Sequence, residues 1–188
     1  MRIPPLTTER LIVREFGEDD LPVAEALYGT GRERWLRWTL LAYEQLADLE
    51  QPPYGDRAVE LRESGVVVGA AGLVPLLAPF GLLPSFGGGD ECFRPQVGLF
   101  YAVLPEHRRR GYATEAAKAL LDHAFTELRL GRVVATTTRE NEGSIGVMRR
   151  LGMRVEHNPA PGPAWFQVVG IADAAGSERP GGTMGLWP

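Results

Sequence analysis

Residues 97–130 constrain the fold of this chain more than any other stretch. An apolar run from Val97 to Leu104 reads as a strand, and it feeds the consecutive Arg108, Arg109 and Arg110, then Gly111, then a helical stretch. Ala113, Ala117, Leu120, Leu121, Ala124 and Leu128 recur at helical spacing, which predicts an amphipathic helix over Tyr112 to Leu130. The first N–H groups of a helix have no intrahelical partner, and the helix dipole adds partial positive charge there. A strand, a basic turn and a helix N-terminus in succession therefore make an anion site. Gly111 lets the main chain approach a bulky anion closely. Neither Gly-x-x-x-x-Gly-Lys-Ser/Thr nor Gly-x-Gly-x-x-Gly occurs, so the turn is not that of a Walker or Rossmann nucleotide site.

The 188 residues are expected to form one domain spanning 1–188. The net charge of −4 argues against a general affinity for nucleic acid or acidic membranes; the positive charge is local, at 108–110. Cys92 is the sole cysteine, which rules out an intrachain disulfide and fits a reducing compartment. Met1 to Pro5 lacks a signal-peptide apolar core, and no apolar run approaches the ~20 residues that span a bilayer. A cytoplasmic location is the expectation. His107, His123 and His157 lack metal-ligand spacing, and no metal is expected.

Strands are predicted at Arg10–Phe16, Ala58–Arg62, Val66–Leu73, Arg94–Leu104, Val133–Thr138, Met153–Glu156 and Trp165–Ile171. Helices are predicted from Glu18 to Tyr28, within 31–50, from Tyr112 to Leu130 and from Gly143 to Leu151. A Pro- and Gly-rich stretch at 75–92 reads as a mobile loop, and a Gly/Pro-rich tail follows near 173–188. This order implies a mixed α/β fold with one crossover unit.

The Arg-x-x-Gly-x-Ala run from Arg108 to Ala113 closely resembles the acyl-CoA pyrophosphate loop of the GNAT superfamily of N-acyltransferases. Two further segments strengthen the likeness. Arg139-Glu140-Asn141-Glu142-Gly143-Ser144-Ile145 through Leu151-Gly152-Met153 resembles the Asn-x-x-Ser…Leu-Gly-Phe segment of the Rim-type branch, the ribosomal-protein N-terminal acetyltransferases. Thr7 to Arg14 resembles that branch's first strand. The resemblance implies a twisted, mostly antiparallel sheet of about six to seven strands with a central splay, flanked by about four helices. It also implies transfer of an acetyl group from acetyl-CoA to a primary amine by direct attack. The Rim-type likeness favours a peptide or protein N-terminal α-amine as acceptor. A small-molecule amine of aminoglycoside or polyamine type is the alternative, as is a non-catalytic acyl-CoA-binding module or a partner-binding domain. Homodimerisation stays open.

Carried onto this chain, the family's diphosphate contacts fall on the main-chain N–H groups of Arg109, Arg110, Gly111, Tyr112, Ala113 and Thr114, with the guanidinium groups of Arg108, Arg109 and Arg110 beside them. The pantetheine arm adds beside the splayed strand, where the N–H groups of Tyr101 and Val103 share one edge. The Val103 N–H is also assigned as oxyanion donor. Asn141 would hold the pantetheine amide, and Ser144 would sit near the sulfur or the pantetheine; either Ser144 or water would protonate the departing thiolate. Asn141 also reads as an N-cap for the helix near Gly143.

Two positions depart from the family pattern. A tyrosine often found on the short helix is Met148 here, and a glutamate sometimes found on the central strand is Gly98. Gln96 shares the parity of Gly98 but cannot act as a base; Asp90, Glu91 and Glu142 are the carboxylates considered instead. An α-amine with pKa of about 8 is roughly one-tenth neutral at pH 7, whereas a lysine amine is neutral less than about one time in a thousand. A site without a strong base therefore suits an α-amine. Trp35 and Trp38 either line the acceptor cleft or pack at its edge. Arg110→Glu is expected to weaken coenzyme A affinity strongly in a fluorescence titration and to leave the circular dichroism spectrum unchanged; unaltered affinity would mean that the turn is misassigned.

Overall fold

In the computed structural model, which describes residues 2–175, the apolar runs form one eight-stranded sheet. In chain order the elements are β1 (Leu6–Thr7), β2 (Leu11–Arg14), α1 (Leu21–Tyr28), α2 (Glu33–Asp48), β3 (Gly55–Leu61), β4 (Val67–Ala78), β5 (Arg94–Val103), α3 (Tyr112–Thr126), β6 (Arg132–Thr137), α4 (Glu142–Arg150), β7 (Arg154–His157) and β8 (Val168–Asp173). The strands lie in the order β1-β2-β3-β4-β5-β6-β8-β7. All neighbours are antiparallel except β5 and β6. That pair is parallel because α3 carries the chain from the end of β5 back to the start of β6. The mixed α/β architecture with four helices is as expected. The sheet has one strand more than expected: β1 is two residues long, too short to leave an alternating pattern.

Alternation along the strands sends side chains to two faces. On one face Leu11, Val13, Val59, Leu73, Leu99, Val133 and Ala135 pack against Ala117, Leu120, Leu121 and Ala124 of α3 and Ile145, Val147 and Met148 of α4. On the other, Ala58 and Ala70 lie under α1 and α2 with Phe16, Leu36, Trp35, Tyr28 and Phe100. A separate cluster on that side joins Ala78, Val134, Val169 and Ile171 to Phe80, Leu83, Phe86 and Phe166. Gly98 sits between Phe100, which belongs to one cluster, and Val134, which belongs to the other.

Three expected boundaries change. Strand β4 continues through 75–78, and the stretch read as a loop then makes two short 3₁₀ turns at Phe80–Leu82 and Pro84–Phe86. Phe80, Leu83 and Phe86 are buried, so apolar side chains spaced among the glycines anchor this segment to the sheet. Helix α3 stops at Thr126 rather than near Leu130, because Arg129 takes a left-handed conformation (φ 54°) and the Leu130 N–H bonds back to the Ala124 carbonyl at 2.9 Å. Trp165 lies in a 3₁₀ turn, Ala164–Phe166, and β8 begins only at Val168. Of the tail near 173–188, residues 176–188 lie outside the described residues. No helix among the described residues is long and apolar enough to cross a membrane.

Glycines on β4 allow close strand approach. A Cβ on Gly72 would lie 2.2 Å from the Gly55 carbonyl oxygen and 2.8 Å from the Asp56 Cα. Both are main-chain atoms, which cannot rotate away. Gly72→Ala is therefore expected to destabilise the fold by about 2–3 kcal/mol in urea denaturation, the scale of an overpacked core; a loss below about 0.5 kcal/mol would mean that the β3–β4 pair opens freely.

Candidate functional site

The site is built where β5 ends and α3 begins. Leu104 donates its N–H to the Val68 carbonyl of the β4 side at 2.9 Å. Successive N–H groups of a strand alternate between its two edges. The N–H groups of Ala102 and Phe100 therefore face β4, and those of Val103 and Tyr101 face the opposite edge. On that edge β5 and β6 are in register at a single position, Gly98↔Val134. Beyond it the strands diverge, and the Tyr101 and Val103 edge lies open to a wedge between them. The expected central splay is this wedge.

A 3₁₀ turn, Pro105–His107, leads from β5 into the arginines. Arg109 (φ 61°) and Gly111 (φ 85°) both adopt left-handed conformations, which turn the chain sharply onto the helix. For Arg109 that geometry carries a small strain; for Gly111 it costs little. The first intrahelical bond of α3 runs from the Glu115 N–H to the Gly111 carbonyl at 3.0 Å. The N–H groups of Tyr112, Ala113 and Thr114 precede it, and no side chain caps them. The Arg108 guanidinium folds back to the Val103 carbonyl (Nε to O, 3.0 Å), and Arg110 reaches the Glu106 carbonyl at 3.2 Å. Arg109 is exposed and has no side-chain partner among the described residues. Exposed guanidinium groups beside free helix N–H donors can hold a diphosphate.

Sequence reasoning missed what braces this turn. Glu115, in the first turn of α3, accepts hydrogen bonds from the Thr8 hydroxyl (2.6 Å), the Arg10 N–H (2.9 Å) and the Arg10 guanidinium (2.8 Å). Arg10 also donates to the Arg110 carbonyl at 3.0 Å and lies over the Tyr112 ring, 4.8 Å from its centroid. The segment entering β2 thus straps the helix N-terminus and cancels the charge of Glu115 with that of Arg10. Partial burial pushes the Glu115 carboxyl upward, but the Thr8 and Arg10 hydrogen bonds outweigh this and hold it below its ordinary value.

Across the wedge, Asn141 accepts the Ser144 N–H at 3.0 Å and so caps α4; its Nδ2 remains as a donor. Ser144 meets Tyr101. The Tyr101 hydroxyl lies 2.9 Å from Ser144 Oγ and donates to the Ser144 carbonyl at 3.1 Å. Burial raises the Tyr101 phenol, against the lowering effect of the Ser144 contact. Sequence reasoning used only the main chain of Tyr101. Its strand parity could have placed the side chain on the α3–α4 face, but its partner depends on the crossover.

Both departures from the family pattern sit in tight surroundings. Met148 is buried and fills the space above Gly170, where a Cβ would approach Met148 Cγ to 2.9 Å. A Cβ on Gly98 would lie 3.1 Å from Val74 Cγ2 and 3.4 Å from Leu76 Cβ. The carboxylates considered as bases are distributed elsewhere. Asp90 pairs with Arg94 at 2.7 Å, while Glu91 and Glu142 are exposed, Glu142 in the first turn of α4. Trp35 packs beside Phe16 and Tyr28, whereas Trp38 is 67% exposed.

Residues 10–154 match the acetyltransferase (GNAT) domain family. An uncharacterized N-acetyltransferase of Bacillus subtilis, YnaD, is 28% identical over 156 residues, covering 80% of this chain and 83% of its own length. The spermidine N(1)-acetyltransferase of Escherichia coli is 41% identical over 54 residues, 29% of each chain. Among solved structures, a ribosomal-protein alanine acetyltransferase of Vibrio fischeri shares the fold with a TM-score of 0.65 at 14% identity, covering 94% of this chain and all of its own.

Because the Glu115 carboxyl is held low, its contribution to stability is present above its unfolded value of 4.5 and is lost as pH falls through the depressed folded value. Glu115→Gln is expected to lower the melting temperature at pH 7, and the gap to wild type should close as the pH is taken below 4.5. A gap that persists to the lowest pH at which the protein stays folded would show that the strap does not depend on charge.

Proposed function

The chain belongs to the GNAT acetyltransferase family and is an acyltransferase; from that premise we propose that it transfers the acetyl group of acetyl-CoA to a low-pKa primary amine, the N-terminal α-amine of a peptide or protein. Acetyl-CoA supplies the activated acyl group. In this reading the chain's own residues bind it and handle the charge that develops. The N–H groups of Tyr112, Ala113 and Thr114 take the diphosphate with Arg108, Arg109 and Arg110, and Gly111 permits the close approach. The Tyr101 N–H and Val103 N–H pair with the pantetheine amides along the wedge, joined by Asn141 Nδ2. The Val103 N–H further stabilises negative charge on the thioester oxygen, an effect worth about 3 kcal/mol for a single donor.

The proton economy follows from the groups at hand. Ser144 Oγ gives its proton to the departing thiolate and recovers one from the Tyr101 hydroxyl, 2.9 Å away; the proton that the attacking amine sheds on becoming an amide passes through solvent to Tyr101, so both hydroxyls end protonated. A tyrosine thus serves from the strand, where the family pattern has one on the short helix. At the amine, Gly98 offers no base, and Val74 crowds the position where one would stand. An amine already partly neutral near pH 7 needs least help. The observation that carries the reading is the open edge of β5 beside the uncapped helix N-terminus. The acceptor preference is supported by the missing base and by the fold shared with the ribosomal-protein acetyltransferase. The spermidine acetyltransferase likeness favours, as a second reading, a small polyamine acceptor.

Thiol release from acetyl-CoA, followed with peptides bearing either a free α-amine or a blocked N-terminus and an internal lysine, tests this. The α-amine peptide is expected to show at least about tenfold higher kcat/KM, following the difference in neutral fraction. A preference for lysine would overturn the acceptor assignment, and no release with any amine would overturn catalysis.

A further inference from the structure

One titratable group has no part in the mechanism above. Asp56 stands on β3 in register with Gly72 of β4, which in turn is in register with Phe100 of β5. The three form a row on the face covered by α1 and α2. Gly72 has no side chain, so β4 places nothing between the carboxylate and the Phe100 ring. Asp56 Oδ2 accepts the Tyr28 hydroxyl at 2.8 Å. The Tyr28 ring is 4.8 Å from Trp35 and 6.1 Å from Phe100, centroid to centroid. All four side chains keep partial exposure. No Lys, Arg or His side chain pairs with Asp56 among the described residues. The neighbouring Arg57 points to the other face, toward Glu15.

A carboxylate drawn out of water is normally met by a positive charge. Here burial raises the Asp56 carboxyl, against the Tyr28 hydrogen bond. Aromatic rings add attraction for a cation through their electron-rich faces. The position also limits what such a cation can be. Strands lie about 4.8 Å apart, so β3 is about 10 Å from β5. The attacking nitrogen must reach the thioester at the far edge of β5 and is too distant to rest on Asp56.

We propose that Asp56, held by Tyr28 and sharing its face of the sheet with Trp35 and Phe100, seats a second cationic nitrogen of the acceptor. The inference rests on the acetyl-transfer reading and narrows its substrate class: a primary amine that carries an ammonium or guanidinium several bonds away. A diamine and a peptide with a basic residue next to its N-terminus share this chemistry.

Two matched pairs distinguish the sources: diaminopentane against pentylamine, and Ala-Arg-Ala against Ala-norleucine-Ala. At least one dication is expected to exceed its partner by about tenfold in kcat/KM, mainly through KM, the effect of one well-placed charge contact. Asp56→Asn should bring that ratio to about one. Tyr28→Phe, which keeps the carboxylate and removes only the hydrogen bond, should retain most of it, and Phe100→Leu should lower it several-fold. A wild-type ratio near one in both pairs overturns the proposal without any variant, as does a ratio that Asp56→Asn leaves intact. If no amine releases thiol, acetyl transfer fails on its own, and calorimetry decides the subsite. Diaminopentane should then bind wild type in the presence of coenzyme A and fail to bind Asp56→Asn; no binding to wild type overturns the proposal.

Discussion

The incomplete meeting of β5 and β6 is the constraint on which the rest of the structure depends. Two parallel strands that paired along their whole length would satisfy each other's main-chain groups. Here they are in register at Gly98↔Val134 alone, and the Tyr101 and Val103 groups beyond that point are left facing a gap. The gap has supports on several sides. Arg108 takes the Val103 carbonyl, Tyr101 holds Ser144, and Asn141 secures the first turn of α4. A sheet edge opened in this way is an unfilled strand position, and an extended amide-bearing chain is the natural shape to fill it.

The two faces of the sheet divide the work. Side chains on the α3–α4 face converge on the wedge and the uncapped helix end, which suit an anionic, peptide-like ligand. The α1–α2 face carries Asp56, Tyr28, Trp35 and Phe100 and is flanked by the cluster around Phe80 and Phe166. Gly98 lies on the α1–α2 face, between its two clusters. Val74 crowds its side-chain position, and Met148 fills the space above Gly170, so both departures from the family pattern stand in tight packing. Restoring the usual side chains would therefore require changes at their neighbours as well.

Much of the fold was legible because its signals are local. The strand, arginines, glycine and amphipathic helix are consecutive between Val97 and Ala124, and each carries its own periodicity or turn chemistry. The Tyr101 and Val103 pair came from alternation applied to the strand that the family resemblance marks. The remainder depends on contacts between distant residues, which leave no periodic trace. Glu115 meets Arg10 from 105 positions away, Tyr101 meets Ser144 across a crossover, and Asp56 meets Tyr28 only once α1 packs on the sheet. The 75–92 stretch misled for a different reason. Its glycines and prolines pointed to a loop and masked the three-residue spacing of Phe80, Leu83 and Phe86, all of which are buried.

The strap between Arg10 and Glu115 has a consequence for how this protein can diverge. Each residue alone would alter the electrostatic potential at the mouth of α3: an unpaired glutamate there would repel an anion, and an unpaired arginine would add a surplus attraction. Together they are nearly silent. Positions 10 and 115 therefore form a compensated couple, in which a change at one is tolerated best when the other changes with it. In an alignment of descendants of this sequence, these two columns should drift in concert although a hundred residues separate them.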